Sequence, residues 1–152
     1  MKEKIRIRSM EITDYEAVFA LWESIRGLGI RSIDDSKEGV RAFLKRNPKT
    51  SVVAQLGDEI VGNILCGFDG RRACLYHVCV SLNYRKQGIA QEMLVHVLES
   101  LKEEGINKAC LVAFRENELG NDFWQKAGWT LRDDLNYYDY TINEDNQTEF
   151  VK

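Results

Sequence analysis

The sequence predicts an α/β (α+β) fold, a mixed and mostly antiparallel sheet with helices on both faces. Three observations predict it: a hairpin meander in the middle of the chain, two helical patterns before it, and a long amphipathic helix between two later strand-like runs. No linker, repeat or low-complexity stretch interrupts residues 1–152, so the whole chain reads as one domain, large enough to bury a substantial core.

The elements follow in order. Lys4, Ile5, Arg6, Ile7 and Arg8 alternate polar and apolar side chains, which suits a half-buried strand. Thr13 with Glu16 three residues on reads as a capping box, and Val18, Leu21, Trp22 and Ile25 then share one helix face, ending near Gly27 and Gly29. Ser36 is placed to cap a second helix with Val40, Phe43 and Leu44 inside. That helix stops at Asn47, because a residue before proline avoids helical angles. Residues 51–56 and 59–66 flank Gly57-Asp58, a strong hairpin signal, and 68–71 turn into the next strand, Leu75 to Val80. After Gly88 the residues Ile89, Met93, Leu94, Val97, Leu98 and Leu101 form one apolar stripe that Gly105 closes. Residues 137–140 read as part of the last strand and the polar stretch 143–147 as a mobile tail.

Composition narrows the function classes. Charged residues make up 30% and hydrophobic ones 44%, ordinary for a globular protein. A net charge of −3 gives no overall attraction for nucleic acid, and no apolar run reaches the length of a membrane span. The start at Met1, Lys2, Glu3 and Lys4 carries no apolar signal core, so the expected location is the cytoplasm. Cys66, Cys74, Cys79 and Cys110 form no C-x-x-C and sit among apolar residues, as reduced, buried thiols do; no metal site is expected. Cys66 and Cys74 flank a turn and are expected to face each other across it.

The turn at 85–90 is the most informative stretch. It runs from a strand into an amphipathic helix, where the first N–H groups lack intrahelical partners and the helix dipole favours negative charge. Gly88 brings no Cβ, and Arg85 and Lys86 add two cations, so the spot suits a phosphate or pyrophosphate. The alternative is a plain surface turn. The motif G-x-x-x-x-G-K-(S/T) of the P-loop is absent.

Arg85, Lys86, Gln87, Gly88, Ile89 and Ala90 match (Gln/Arg)-x-x-Gly-x-(Gly/Ala), which resembles the acetyl-CoA signature of the GCN5-related N-acetyltransferase (GNAT) family, of the small bacterial, RimI-like type. Further on, Asn117 to Trp129 resembles that family's second signature, and the two stand in the expected order across most of the chain. The resemblance implies a sheet of about six to seven strands, splayed between the fourth and fifth, with residues 108–114 as that fifth strand, and transfer of an acetyl group from acetyl-CoA to a primary amine by direct attack. It implies that Arg85 to Ala90 hold the pyrophosphate, that the backbone of Val78, Cys79 and Val80 pairs with the pantetheine arm, and that Asn117 touches that arm; Asn117 is equally suited to be a helix N-cap. The acceptor, a small molecule or a protein amine, would lie by the loop 29–36. There Asp34 and Asp35 either attract a cationic amine or serve as a solvated helix lead-in. A homodimer is common in the family.

Two positions depart from the pattern. Trp124 stands where relatives carry a tyrosine acid, and an indole N–H does not give up its proton in the useful range. Tyr137, Tyr138 and Tyr140 are substitute hydroxyls, with Tyr138 taken as the candidate. Gly120 stands where Ala is usual, a minor change. An amine with pKa near 10 must lose a proton, and imidazole titrates near 6.5, which makes His77 the candidate base beside a purely structural role; His96 reads as solvated. The loss of the tyrosine also motivates a second reading, a non-catalytic acyl-CoA-binding module that retains the donor site.

Overall fold

The computed structural model describes residues 4–152; the start from Met1 to Glu3 lies outside the described residues. In chain order the elements are β1 (Ile5–Ser9), α1 (Tyr15–Glu23), β2 (Gly29–Arg31), α2 (Lys37–Arg46), β3 (Val52–Leu56), β4 (Glu59–Phe68), β5 (Arg72–Val80), α3 (Ile89–Glu103), β6 (Lys108–Cys110), α4 (Glu118–Lys126) and β7 (Thr148–Phe150). The seven strands divide into a five-stranded sheet, ordered β1-β3-β4-β5-β6, and a two-stranded ribbon of β2 and β7. All neighbours run antiparallel except β5 and β6, which are parallel.

Strand alternation sends side chains to two cores. Val53, Leu65 and Cys79 join Val18, Leu21 and Trp22 of α1 and Val40 and Leu44 of α2. From the opposite face Val52, Ala54, Ile64, Cys66 and Leu75 meet Ile89, Met93, Leu94, Val97 and Leu101 of α3. The α3 stripe is the predicted one, with Leu98 at its more exposed edge. The Gly57 hairpin and the Ser36 cap form as expected, Ser36 Oγ accepting the Gly39 N–H at 3.1 Å.

The alternation breaks once inside β5. Leu65 pairs with Tyr76 and Asn63 with Cys79, so His77 and Val78 together oppose Ile64 alone. His77 has φ 51°, in the left-handed region. A bulge of this kind lets two consecutive side chains share a face. Tyr76 packs on Phe43 of α2, and His77 on Trp22 of α1.

Several expectations are corrected. The cap of α1 is not Thr13 with Glu16. Asp14 takes two hydrogen bonds from Arg8 of β1 (2.7 and 2.9 Å) and one from the Glu11 N–H (2.8 Å), and this tertiary ion pair sets where the helix begins. Burial pushes the Asp14 carboxyl up, but the Arg8 and Glu11 hydrogen bonds and the Arg8 charge outweigh it and hold it below the usual value. Cys66 lies opposite Leu75 and Cys74 opposite Gly67, which puts the two thiols on opposite faces of the sheet. Cys110 is exposed rather than buried.

The strand expected over 108–114 ends at Cys110, and Val112 and Phe114 are exposed, because the chain leaves β5 there. Residues 137–140 form no strand. The polar tail is pinned rather than mobile: Asn146 Oδ1 accepts the N–H groups of Ile33 (2.9 Å) and Asp34 (3.0 Å), its Nδ2 donates to Asp34 Oδ2 (2.8 Å), and β7 pairs with β2.

Beside the bulge, the fully buried Asn63 accepts the Trp22 indole N–H at 3.0 Å and donates to the Val52 carbonyl at 2.9 Å. Asn63→Ala leaves that indole without an acceptor and opens a void. The expected loss is about 2–4 kcal/mol, read as a lower urea midpoint. A loss below about 1 kcal/mol would mean that the network does not hold α1 to the sheet.

Candidate active site

Beyond Cys74, the last residue of β5 paired with β6, the strands part. From Leu75 to Val80 one edge of β5 pairs with β4, and the other faces the opening. Cys79 is buried toward α1, while Val78 and Val80 pack toward α3. Burial pushes the Cys79 thiol up to about 12, so it stays protonated at neutral pH. What this strand offers a ligand is its main chain.

The strand runs into the turn at 85–90. Lys86 (φ 63°) and Gly88 (φ 79°) both adopt left-handed angles. The first main-chain bond of α3 runs from the Glu92 N–H to the Gly88 carbonyl, and Gly88 supplies no side-chain cap. The main-chain N–H groups of residues 85–91 therefore have no acceptor among the described residues. A Cβ at Gly88 would meet nothing within 4 Å, so there is room in front of these donors. Arg85 folds back, its Nε donating to the Val80 carbonyl at 3.3 Å, and Lys86 makes no ion pair among the described residues. Unused donors, two cations and empty space fit a bound anion.

On the α2 side a cavity of about 340 Å³ is lined by Arg31, Asp34, Asp35, Phe43, Tyr76 and His77, among others. Asp35, only 4% exposed, is no solvated lead-in. Both of its carboxylate oxygens lie 3.0 Å from His77 Nε2, Oδ2 also accepts the Arg31 N–H at 2.7 Å, and its main-chain carbonyl accepts the Tyr15 hydroxyl at 2.7 Å. Burial and then the Asp35 charge raise the Tyr15 phenol above its usual value. An ionised carboxylate only accepts, so it selects the Nε2–H tautomer and leaves the lone pair of neutral His77 on Nδ1. The Trp22 ring, 4.7 Å from the imidazole, fixes its plane.

Asp34 stays exposed at the cavity rim, bound to Asn146. Asn117 caps α4, its Oδ1 accepting the Gly120 N–H at 3.0 Å. A Cβ at position 120 would fall 2.5 Å from Asn117 Nδ2, so a larger residue there would require the Asn117 side chain to shift. Trp124 packs edge-on against Phe123 and Trp129, with ring centroids 5.1 and 5.0 Å away. Tyr138 is 87% exposed, on the irregular stretch between α4 and β7, and joins neither the cavity nor the turn. His96 is half-buried rather than solvated, with Nδ1 enclosed and unpaired.

Sequence reasoning missed the partnership of Asp35 with His77 and the cavity wall formed by Phe43 and Tyr76. No glycine signals the bulge that aims Tyr76 and His77 the same way.

A sheet that opens beside an anion-suited turn, with an oriented imidazole on the same strand, describes a group-transfer enzyme with an anionic donor. Residues 15–129 match the acetyltransferase (GNAT) family model, and the chain belongs to that family. Acetyltransferase SG1711 of Sodalis glossinidius is 27% identical over 143 residues, 94% of this chain and 99% of the relative. Acetyltransferase ECA0875 of Pectobacterium atrosepticum is 30% identical over 129 residues, 85% and 90% of the two chains. Among solved structures, aminoglycoside N-acetyltransferase AAC(6')-Iy in complex with CoA superposes with TM-score 0.71 at 15% identity, covering 92% of this chain and 97% of that one. The PaiA N-acetyltransferase of Thermoplasma acidophilum, in complex with coenzyme A, gives 0.69 at 19%, covering 81% and 87%. These two share the fold. The protein is an acetyltransferase of this family. Among the described residues no group of His, Cys, Asp and Glu is placed to hold a metal ion, and no helix is long and apolar enough to cross a membrane.

Proposed function

We propose that the chain, as a single acetyltransferase domain over 1–152, transfers acetyl from acetyl-CoA to a primary amine held in the cavity between α2 and β5. The observation that carries this reading is the placement of His77. It faces the cavity, clasped by Asp35, on the strand whose other edge is open to the donor.

Acetyl-CoA supplies an acyl group on a thiolate leaving group. Its pyrophosphate is assigned to the free N–H groups of Arg85, Lys86, Gln87, Gly88, Ile89 and Ala90, and its arm to the main chain of Val78, Cys79 and Val80. The Asn117 side chain keeps its Nδ2 for the arm while Oδ1 caps α4. Asp34 at the rim attracts the ammonium form of the acceptor, and Asp35 orients His77, whose Nδ1 takes the proton that the amine must lose before attack. The cavity volume is at the small end for ligand sites, which favours a small amine or a single protein side chain or terminus. Tyr138, standing in solvent, gains no support as the acid.

A second copy of the chain is the partner we assign to the stretch carrying Leu131, Leu135, Tyr137, Tyr138, Tyr140 and Ile142, all more than half exposed. The accessible surface is 11003 Å², against roughly 7,900 Å² for a folded chain of 17.5 kDa. The excess is more than the roughly 800 Å² per partner that a standard interface covers. Four free cysteines suit a cytoplasmic setting.

Four outcomes are expected. CoA should be released from acetyl-CoA with at least one class across a panel of primary amines and N-terminal peptides; tight donor binding with no release from any would overturn the acceptor assignment. Gly88→Glu should lose donor binding by calorimetry, because a carboxylate enters the space before the free N–H groups, and unchanged affinity would displace the site. His77→Ala should lower kcat by about 10²–10⁴ with donor affinity kept; an unchanged kcat would make His77 structural. Light scattering should give twice the chain mass, reduced by Tyr138→Glu with Ile142→Glu, and a monomeric wild type would sink the dimer.

A further inference from the structure

Cys74 and Cys110 are register partners across the parallel strands β5 and β6. Register partners on adjacent strands carry their side chains on one face, with Cα atoms about 4.8 Å apart. That spacing lies inside the roughly 4.4–6.8 Å that a disulfide spans. Burial raises the Cys74 thiol above its usual value, with the Tyr76 hydroxyl and the Cys110 thiol among the nearby groups that act on it.

The four cysteines divide sharply. Cys66 and Cys79 are buried, their thiols pushed up to about 12 by desolvation, and neither is available to a reagent in the folded protein. Cys110 is exposed and Cys74 half-buried beneath it. The accessible thiol thus has a second thiol as its neighbour, as an attacking and a resolving cysteine do. Their pairing is also the last rung of β5 on β6 before the strands part, and Tyr76 beside it forms a wall of the acceptor cavity.

We propose that Cys74 and Cys110 are a redox-responsive pair, which a low-molecular-weight disulfide converts into a Cys74–Cys110 disulfide at the root of the opening between β5 and β6. The Cys110 thiolate attacks one sulfur of the small disulfide; that S–S bond breaks, one small thiolate leaves, and a mixed disulfide forms on Cys110. Cys74 gives its proton to solvent and attacks Cys110 Sγ, expelling the second small thiolate. Two electrons pass from the protein thiols to the reagent, so one small disulfide becomes two small thiols. In a reducing compartment the bridge is transient, as regulatory disulfides there are. It ties the strands covalently where only main-chain hydrogen bonds held them.

The test uses the full chain with glutathione disulfide, quenched by alkylation under denaturing conditions and mapped by mass spectrometry. The expected product is a Cys74–Cys110 cross-linked peptide two hydrogens lighter than the reduced pair, with Cys66 and Cys79 alkylated and the bridge reversed by dithiothreitol. Cys74→Ser should instead retain glutathione on Cys110, and Cys110→Ser should form no bridge. Four alkylated cysteines, glutathione persisting on Cys110 of the unaltered chain, or a Cys110–Cys110 link between copies would each overturn the proposal. None of these outcomes depends on acetyl transfer, so this inference and the assigned activity fail independently.

Discussion

The backbone of His77 passes through the left-handed region in the middle of a strand, and the placement of both halves of the site depends on that departure. A non-glycine residue held there costs on the order of 1–3 kcal/mol and persists only where its surroundings over-determine it. Here they do. Asp35 holds Nε2 with both oxygens, Trp22 covers the ring, and the Trp22 indole is itself anchored on buried Asn63, one residue from the bulge on the neighbouring strand. The return is geometric. Before the bulge β5 sends Tyr76 to the α2 side, at the bulge it sends His77 the same way, and after it Cys79 enters the α1 core while Val78 and Val80 turn toward α3. One strand thereby forms a wall of the cavity and still leaves a straight, open edge.

The two ends of this region have opposite electrostatic character. At the C-terminal end of β5, uncapped N–H groups and the side chains of Arg85 and Lys86 make a positive cradle. Midway along it, a buried carboxylate and the rim residue Asp34 make a negative one. The acceptor loop is steadied from two sides, by Asp35 on His77 and Tyr15, and by Asn146 with β7 on residues 31–34. An anion is therefore favoured at the C-terminal end of the strand and a cation at its middle.

How much of this was legible in the sequence follows the range of the forces involved. The Ser36 cap, the stop before Pro48, the Gly57 hairpin and the Gly88 turn are local, and each was readable from a few adjacent residues. Asp14 displaced Thr13 as the start of α1 because it pairs with Arg8 of β1, six residues back, and helix propensity and capping patterns do not count an ion pair to a preceding strand. The same holds for Asp35 and His77, which are 42 residues apart. Nothing in Tyr76-His77-Val78 marks the bulge in β5. Residues 111–114, taken as strand from the family resemblance, and 137–140 lack a partner strand among the described residues.

Trp124 shows which proton the chain most needs to control. The indole is locked between Phe123 and Trp129 and has no acidic proton to offer, so the site does not place a phenol where relatives do. The two proton transfers are unequal in need. A thiol loses its proton near pH 8.5 and an alkylamine near 10, so a thiolate is the weaker base and leaves without prior protonation, whereas an attacking amine is almost wholly protonated and inert at neutral pH. A protein that gives up one of the two catalytic groups loses less by giving up the acid. Among the described residues Tyr138 stands in solvent, while the His77 imidazole is held by a 4%-exposed carboxylate, by an aromatic face and by a strained backbone.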